Sequence, residues 1–397
     1  MSAAKPFFVN IPVEKQNWVQ AKLEDIQWPD TPEEAGWAYG ADLDYMKELV
    51  TYWRDVYDWR QNEASMNRFN HFKAEVTAKG ADPLNVHFIH EKGSGSNPMP
   101  LILTHGWPGS FYEFDHLIEQ LAHPEQFGGN AEDGFDVIVP SLFGYGFSDK
   151  PKTPMGVQKT ADYWHDLMTR VLGYEKFSVQ GGDWGSLVSS WVAQRYPESV
   201  IGCHLNMAIL LYWDKGDVPP AFGASNVGET DEERAWEAAL GQSLYAEGGY
   251  FHMHATKPVT LNYALLNHPV ATAAWIVEKF YTWGDTNGDI ESKFTKDQLL
   301  TNVMIYILTD TIGTSTWYYT AGAAGPDMYL PKGERINVPC GMAVFDKDFI
   351  AWPPRSLLER SCDIARWTEM PSGGHFAAME EPELFLKDVQ DFFRDLR

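Results

Sequence analysis

Short apolar runs alternate with helix-like stretches between residues 86 and 205, and this alternation limits the fold more than any other feature. Helical periodicity marks Thr160–Leu172 and Ser186–Tyr196 between the later runs. Because strands that alternate with helices form βαβ crossovers, the sequence predicts an α/β fold around a mostly parallel sheet. The strand-sized runs are Val86–His90, Leu101–Thr104, Asp136–Pro140, Phe177–Gln180 and Val200–Leu205.

Residues 1–95 precede this region as a polar, Trp-rich lead-in. Apolar spacing near the helical period predicts helices at Asp42–Tyr57 and Asn67–Lys79. No residue of the lead-in stands out as a candidate for chemistry.

A second departure from the alternation covers residues 207–335. This stretch is aromatic and helix-like, and it predicts a helical lid inserted into the core. The strand-like pattern resumes at Gly341–Phe345, so residues 96–206 and 336–397 are expected to form one core.

Composition narrows the class of partner. The chain has 31 Lys plus Arg against 55 Asp plus Glu, and its formal charge of -24 would repel nucleic acids and anionic membrane surfaces. Aromatic residues make up 14% of the 397 residues, which suggests a binding site lined by rings. The expected partner is therefore a small molecule. A homo-oligomer is compatible with the sequence, which does not fix the oligomeric state.

The cysteines and the N-terminus bear on the compartment. Cys203, Cys340 and Cys362 are widely spaced and odd in number, which favours free thiols in a reducing compartment. The N-terminus lacks the apolar stretch of a signal peptide, and no apolar run approaches the ~20 residues that a membrane helix needs. The expectation is a soluble, cytoplasmic protein.

The run Phe177-Ser-Val-Gln-Gly-Gly-Asp-Trp-Gly carries an apolar strand into a Gly-flanked Asp183 that opens a helix. This pattern resembles the nucleophile elbow of α/β-hydrolases, where a sharp turn requires small neighbours. A carboxylate is already anionic, so Asp183 could attack a saturated carbon without a base and form an ester that water must later cleave. The alternative is that Asp183 only caps the following helix.

A Gly-rich turn, His105-Gly-Trp-Pro-Gly, ends the strand before the elbow. In this fold such a loop contributes one backbone N–H to an oxyanion hole, and the residue after the nucleophile contributes the other. The hypothesis assigns these two amides to Trp107 and Trp184. On its own, the motif could equally be a tight turn, since Gly and Pro mark turns in any fold.

The remaining members of a triad follow in the chain order of this fold, nucleophile, acid and histidine. His375 lies in Pro-Ser-Gly-Gly-His-Phe, after the last predicted strand. The acid is expected after Gly341–Phe345, where the sequence continues Asp346-Lys-Asp348. Asp348 is the first choice, and Asp346 is the reserve because one of the pair is expected to be a solvated turn residue.

Metal or cofactor chemistry finds little support. His252-Met-His254 has a spacing that could hold a metal, but no third ligand lies at a suitable distance in the sequence. Nucleophile, base and acid would all be side chains, so no metal and no organic cofactor are expected.

The motifs together resemble the microsomal-type epoxide hydrolases, a family with the α/β-hydrolase fold. The match includes Gly-Tyr-Gly-Phe-Ser at Gly144–Ser148 and, in the lead-in, Tyr57-Asp-Trp-Arg and Phe69-Asn-His-Phe. The resemblance implies that residues 1–95 wrap the catalytic core and that the substrate is a small-molecule epoxide. The aromatic richness of residues 207–335 suggests that this epoxide is bulky and apolar. This chain carries Asp348 where mammalian relatives carry Glu, and it has no membrane-anchor helix before Pro6, which implies a soluble member.

The resemblance also implies two lid tyrosines that hold the epoxide oxygen. Gly249-Tyr-Phe-His matches the first family motif at Tyr250, and the run from Leu299 leads by counting to Tyr319. Tyr318 is adjacent and stays an alternative. Two phenols suit the reaction, because ring opening creates alkoxide character that a neutral donor can stabilise and protonate.

Two other functions compete with this interpretation. A haloalkane dehalogenase is similar in fold, in its Asp nucleophile and in its following Trp, but it uses indole N–H donors for halide in place of phenols. A catalytically inactive hydrolase fold kept as a small-molecule receptor is the other, since a fold alone never guarantees activity. A Ser-type esterase is disfavoured, because the elbow holds no hydroxyl.

Overall fold

Most of the apolar runs become strands of one sheet, in a computed structural model that describes residues 4–212, 227–324, 326–331 and 333–397. Within these ranges the sheet has nine strands in the order β1-β2-β3-β5-β4-β6-β7-β10-β11. The six strands from β5 to β11 in this order pair in parallel, and β1 to β3 add an antiparallel edge. The strands are β1 Lys5–Phe7, β2 His71–Val76, β3 Leu84–Glu91, β4 Met99–Thr104, β5 Phe135–Pro140, β6 Phe177–Gly181, β7 Val200–Leu205, β10 Ile336–Val344 and β11 Cys362–Glu369, with β8 Leu211–Tyr212 and β9 Tyr329–Leu330 pairing separately.

The prediction of an α/β fold with a mostly parallel sheet is confirmed. The central strands are apolar along their whole length because helices cover both faces of a parallel sheet, and every residue of β5 and β6 is buried. The pairs Leu101–Ser178 and Thr104–Gly181 set the register of β4 against β6. The carboxyl ends of these two strands therefore lie side by side, and the loops that follow them meet.

The predicted helix at Asn67–Lys79 is wrong, because its centre is strand β2. Phe72, Ala74 and Val76 alternate with Lys73 and Glu75, which is the period of a strand. The pattern is short, and it is stabilised as a strand by pairing with β3, the next strand along the chain. The other predicted helix of the lead-in corresponds to α2, and the strand prediction at Val86–His90 corresponds to β3, which runs antiparallel to β5.

Helices surround the sheet and fill the insertion between β7 and β10. The α-helices of the described residues are α1 Val13–Leu23, α2 Leu43–Asp55, α3 Trp59–Met66, α4 Ile118–Ala122, α5 Val157–Asp166, α6 Asp183–Arg195, α7 Asp231–Glu247, α8 Gly249–Thr256, α9 Pro258–Leu265, α10 Pro269–Trp283, α11 Lys296–Leu308, α12 Ile312–Ser315, α13 Trp317–Ala324, α14 Arg355–Leu358, α15 Ala377–Glu380 and α16 Pro382–Arg394. The shorter turns of 3-10 helix are Phe111–Phe114, Pro124–Phe127, Ala131–Asp133, Ile290–Ser292 and Pro326–Met328, and a π-helical turn, Leu167–Val171, extends α5.

The insertion and the lead-in contact each other. Helices α7 to α13 all lie in the insertion, of which residues 213–226 fall outside the described ranges. The lead-in packs α1 against α10, and α2 and α3 against α11. The Tyr57 and Thr301 hydroxyls lie 3.1 Å apart in a hydrogen bond, and Lys296 forms an ion pair with Glu48. The lead-in thus supplies sheet strands on one side and support for the insertion on the other.

The three cysteines are free and buried, as the sequence predicted for their thiols. Cys203 in β7 pairs in register with Cys340 in β10, and Cys362 begins the neighbouring β11. Spacing along the chain gave no sign of this proximity, because parallel pairing joins segments that are far apart in sequence.

Candidate active site

Asp183 lies at a strained turn where β6 passes into α6. Its backbone φ is 45°, in the left-handed region that side chains other than Gly rarely adopt. Gly182 caps the helix, and a Cβ at Gly181 would collide with the backbone carbonyl of Gly185. Small neighbours are therefore required, and the turn holds the Asp183 carboxylate at the carboxyl edge of the sheet.

The loop after β4 contacts this carboxylate directly. The backbone N–H of Trp107 donates to Asp183 Oδ1 over 2.7 Å. A Cβ at Gly106 would collide with the same carboxylate, so only Gly allows the approach. Trp184 occupies the first turn of α6, where the backbone N–H groups have no acceptor within the helix. The loop after β4 and the first turn of α6 therefore provide two backbone amide donors near the Asp183 carboxylate, those of Trp107 and Trp184.

His375 lies between Asp183 and Asp348. Its Nδ1 is 3.1 and 3.0 Å from the two carboxylate oxygens of Asp348, and its Nε2 is 3.4 Å from Asp183 Oδ2. The backbone N–H of Ile350 also donates to Asp348. Asp346, the reserve acid, instead forms an ion pair with Lys347, with 63% of its side chain exposed. Of the two candidate acids, only Asp348 contacts His375.

Two carboxylates determine the protonation of His375. Burial lowers the pKa of its imidazole, but the charges of Asp348 and Asp183 outweigh burial and hold the pKa well above its ordinary value. In the free protein His375 is therefore held as an imidazolium between the two acids. Loss of one negative charge, such as conversion of Asp183 to an ester, would lower this pKa and turn His375 into a base.

Tyr250 in α8 and Tyr319 in α13 face the carboxylate from the insertion. The Tyr250 ring stacks on Trp107 with centroids 5.2 Å apart, and Tyr319 meets Trp107 edge to face at 5.9 Å. Trp184 lies 4.8 Å from the Tyr319 ring. The hydroxyl of Tyr318 bonds to Thr160 at 2.9 Å, whereas that of Tyr319 has no formed hydrogen bond within the described residues. Tyr319 therefore joins the site, and Tyr318 does not.

Both phenols hold their protons firmly. Burial raises the pKa of Tyr250 well above its ordinary value, and the negative charge of Asp183 adds to the shift. Burial also raises the pKa of Tyr319, with further contributions from Tyr250 and Asp183 and a small opposing one from the Trp184 indole. Both side chains are neutral hydrogen-bond donors at physiological pH.

The His252–His254 pair does not form a metal site. His252 is exposed, whereas His254 is buried and its Nε2 accepts a hydrogen bond from the Trp275 indole at 3.0 Å. Across the part of the chain that the structure describes, no three His, Cys, Asp or Glu side chains are arranged to hold a metal ion. That the reaction needs no metal or cofactor stays a prediction.

Two glutamates close to His375 were missed in the sequence: Glu113, which is partly exposed, and Glu380, which is buried. Glu113 lines a small cavity with Asp183 and His375, which has room for about one water molecule. Burial raises the pKa of Glu113 to about 8, with His375 opposing the shift and Asp183 adding to it. Burial also raises the pKa of Glu380 to about 7 against the backbone N–H groups that bond to it. Nothing in the local sequence distinguishes Glu113 from the many other acids of the chain. Glu380 follows His375 by five residues, and this short spacing could have indicated a side chain that supports the histidine loop.

Sheet order, elbow and loop positions define an α/β-hydrolase-fold protein with Asp at the nucleophile position. A family model for the α/β-hydrolase fold matches residues 99–239, and one for the epoxide hydrolase N terminus matches residues 4–114. A putative epoxide hydrolase of Stigmatella aurantiaca is 38% identical over 99% of this chain and 85% of its own. Epoxide hydrolase 1 of Oryctolagus cuniculus is 37% identical over 98% of this chain and 88% of its own.

Solved structures agree with the sequence relatives. The juvenile hormone epoxide hydrolase of the silkworm Bombyx mori has a TM-score of 0.81 at 29% identity, covering 100% of this chain and 95% of that one. Aspergillus niger epoxide hydrolase has a TM-score of 0.81 at 26% identity, covering 100% and 97%. The chain belongs to the epoxide hydrolase family, a family of enzymes with the α/β-hydrolase fold. Within the described ranges, no helix is both long and apolar enough to cross a bilayer.

Proposed function

We propose that this enzyme converts a small apolar epoxide and water into a vicinal diol through an ester on Asp183. The observation that carries the proposal is the environment of one carboxylate. Asp183 Oδ1 is bound by the Trp107 N–H, and Oδ2 lies 3.4 Å from His375 Nε2 below two buried phenols. A carboxylate placed in this way can act as a nucleophile without a base.

In the first step, Asp183 Oδ2 attacks an oxirane carbon. The bond from that carbon to the ring oxygen breaks, and the oxygen takes a proton from Tyr250 or Tyr319. The raised pKa values of both phenols support this role, because the side chains are neutral and can share the developing negative charge before one transfers its proton. The products of this step are an ester on Asp183 and a free hydroxyl on the neighbouring carbon.

In the second step, water cleaves the ester. Once Asp183 is esterified, His375 has lost one of the two charges that raise its pKa, and it passes its proton to the tyrosinate left by the first step. The neutral imidazole can then take a proton from water while Asp348 stabilises the imidazolium that forms. We assign this water to the cavity beside Glu113. The hydroxide attacks Asp183 Cγ, and the resulting oxyanion at Oδ1 accepts from the amides of Trp107 and Trp184. Collapse breaks the ester bond, and the leaving alkoxide takes the proton of the new carboxylic acid, which releases the diol and restores the Asp183 carboxylate and the His375 imidazolium.

The substrate side of the site supports an apolar epoxide. The pocket beside Asp183 is lined by Tyr250, Tyr319 and Trp184 and by the apolar side chains of Leu187, Met207, Ile209, Phe251, Met328 and Ile350. Burial of an apolar substituent here would favour binding by about 25 cal/mol per Å² of surface removed from water. We further propose that residues 207–335 act as the lid that closes this pocket and that residues 1–95 wrap the core.

The test separates the two steps by intact-mass measurement after mixing with styrene oxide. His375→Gln should gain the mass of one epoxide and retain it, whereas Asp183→Ala should gain none. The wild type should turn over without accumulating as much adduct. A stable adduct on Asp183→Ala, or none on His375→Gln, would contradict the ester.

A single turnover of the wild type in heavy-oxygen water gives an independent check. Because water attacks the ester carbonyl, the first diol released should carry an oxygen from Asp183, and the enzyme should gain the label. A first-turnover diol that already carries heavy oxygen would mean that water attacks the epoxide directly, with Asp183 as a general base.

A further inference from the structure

One buried carboxylate accepts hydrogen bonds from the backbone N–H groups of both residues that flank His375. Glu380 ends the short helix α15, and its side chain turns back beneath the loop that carries the histidine. Its Oε2 accepts from the N–H of Gly374 at 2.9 Å, and its Oε1 accepts from the N–H of Phe376 at 2.8 Å. The side chain is buried, with 7% exposed. Glu380 thus binds the residue before His375 and the residue after it.

The same carboxylate reaches the end of lid helix α10. Glu380 Oε2 also accepts from the N–H of Asp285 at 2.7 Å. In return, Asp285 Oδ2 accepts from the N–H of Gly373 at 3.0 Å, and the carbonyl of Trp283 accepts from the N–H of His375 at 3.0 Å. These hydrogen bonds join residues 373–376 to residues 283–285.

Residues 283–285 include Trp283, whose ring forms one wall of the active site. The Trp283 ring lies 5.0 Å from the His375 ring and 4.9 Å from the Tyr250 ring, between the core and lid groups. A shift at the end of α10 would therefore move the base and the aromatic wall together.

The local sequence cannot hold His375 by itself. Two glycines precede it, and Gly373 has a φ of 103°, so the backbone of this loop is intrinsically permissive. Three backbone N–H groups converge on the carboxyl group of Glu380, and hydrogen bonds to its ionised form are stronger and shorter than neutral ones. The adjacent Glu381 has a different role, because it forms an ion pair with Lys293.

We propose that Glu380 is a positioning residue for the hydrolysis step: it sets His375 Nε2 against the ester on Asp183 and ties that placement to the end of lid helix α10. This rests on the proposed ester mechanism. Formation of the ester needs no base, so Glu380 should affect its decay far more than its formation. A displacement of about 1 Å in a reacting group can cost about 10²-fold in rate.

Rapid mixing with styrene oxide, with the ester followed by quenching and intact mass, measures the two rates separately. Glu380→Gln keeps the size of the side chain but replaces one acceptor by a donor that faces N–H groups. We expect ester formation within about 3-fold of wild type and decay slower by about 10- to 100-fold. The matched control Glu383→Gln, at an exposed position of α16, should change neither rate by more than about 2-fold, within the usual effect of a surface substitution.

A double variant tests whether Glu380 acts through the histidine. In the His375→Gln background, Glu380→Gln should not slow the residual decay further, because there is no imidazole left to position. An additional slowing there, or equal slowing of formation and decay in the single variant, would show a general structural role and overturn the proposal. Wild-type decay in Glu380→Gln would overturn it as well.

Asp285→Asn covers the case in which Glu380→Gln does not fold. It keeps Glu380 and weakens the bond from the Gly373 N–H, together with the one that Asp285 Oδ1 accepts from Asn287, so decay should slow in the same direction but by a smaller factor. Unchanged decay would remove the link to α10 and overturn the proposal. A wild-type enzyme that forms no ester at all would instead contradict the proposed function, so the two failures are distinguishable.

Discussion

Hydrogen bonds hold the core side of the site, whereas packed rings hold the lid side. On the core side, the Asp183 carboxylate accepts from the Trp107 amide, and His375 bonds to Asp348. On the lid side, Tyr250 and Tyr319 pack against tryptophan rings, and the Tyr319 hydroxyl has no formed hydrogen bond among the described residues. Charged groups need a fixed direction, which hydrogen bonds provide. On our proposal the phenols need a fixed position, and the Tyr319 O–H, which has no formed hydrogen bond among the described residues, can then donate to a ligand.

The two sides also shift their buried histidines in opposite directions. Burial lowers the pKa of His254 in the lid to about 3, and the charge of Lys279 adds to the shift. His375 in the core keeps a raised pKa because two carboxylates outweigh its burial. Protonation of His254 in acid therefore opposes the packing of the lid, whereas His375 is already protonated at neutral pH. The comparison predicts that substitutions on the two sides fail at different steps.

The largest effect is expected on the core side, from Asp348→Asn. Loss of the carboxylate removes the partner that orients His375 and stabilises its cation, so decay of the ester should slow by about 10³- to 10⁴-fold while formation stays near wild type. Quenched-flow intact mass with styrene oxide reads both rates. Asp346→Asn is the matched control, since that exposed acid contacts Lys347 and should leave both rates unchanged. If ester decay slows equally in Asp348→Asn and Asp346→Asn, the assignment of Asp348 as the partner of His375 is wrong.

A smaller effect is expected from substitutions on the lid side, and it should fall on the rate of ester formation. Tyr250→Phe and Tyr319→Phe each remove one donor to the epoxide oxygen, which should slow ester formation by about 10²-fold and leave decay of the ester nearly unchanged. The same rapid-mixing measurement applies. Tyr318→Phe serves as the control, because that hydroxyl bonds to Thr160 away from the site. If Tyr318→Phe alone forms the ester slowly, the second tyrosine that binds the epoxide oxygen is Tyr318 and not Tyr319.

The smallest effect concerns stability in acid. The folded pKa of His254 lies near 3, below the unfolded value of about 6.5, so its contribution to stability is complete above pH 6.5 and falls as the pH drops toward 3. The slope is about 1.4 kcal/mol per pH unit for one proton. Urea unfolding between pH 7 and pH 5 should show a flatter dependence in His254→Asn than in wild type. His252→Asn, at an exposed position, should keep the wild-type slope. An unchanged slope in His254→Asn would contradict the neutral buried state.

Local sequence was sufficient wherever the backbone itself imposes the geometry. A strand that ends in Gly-Gly-Asp-Trp-Gly can make the turn only with small neighbours, so Asp183 stood out before any contact was known. The Gly-flanked His375 and the loop of Trp107 were found in the same way. The strand–helix alternation likewise predicted the parallel sheet, because periodicity reflects which faces are buried.

Tertiary structure decided what depends on segments that are distant in sequence. Asp346 and Asp348 share one loop, and only the packing of β10 against β11 shows which of them meets His375. Tyr318 and Tyr319 share one helix, and only its orientation against α5 and α6 separates them. Strand β2 was mistaken for a helix because its partner β3 determines its state.

The two glutamates near His375 show this limit most plainly. Glu113 does not differ in sequence from the solvated acids around it, and Glu380 differs only in its spacing from His375, yet burial raises the pKa of both. An acid becomes special when other segments remove its water and supply donors, and donors such as the Asp285 N–H come from across the fold. The sequence by itself determined which residues can stand at sharp turns. Only the folded chain determined which side chains lose water together, because desolvation and direction are properties of the assembled neighbours.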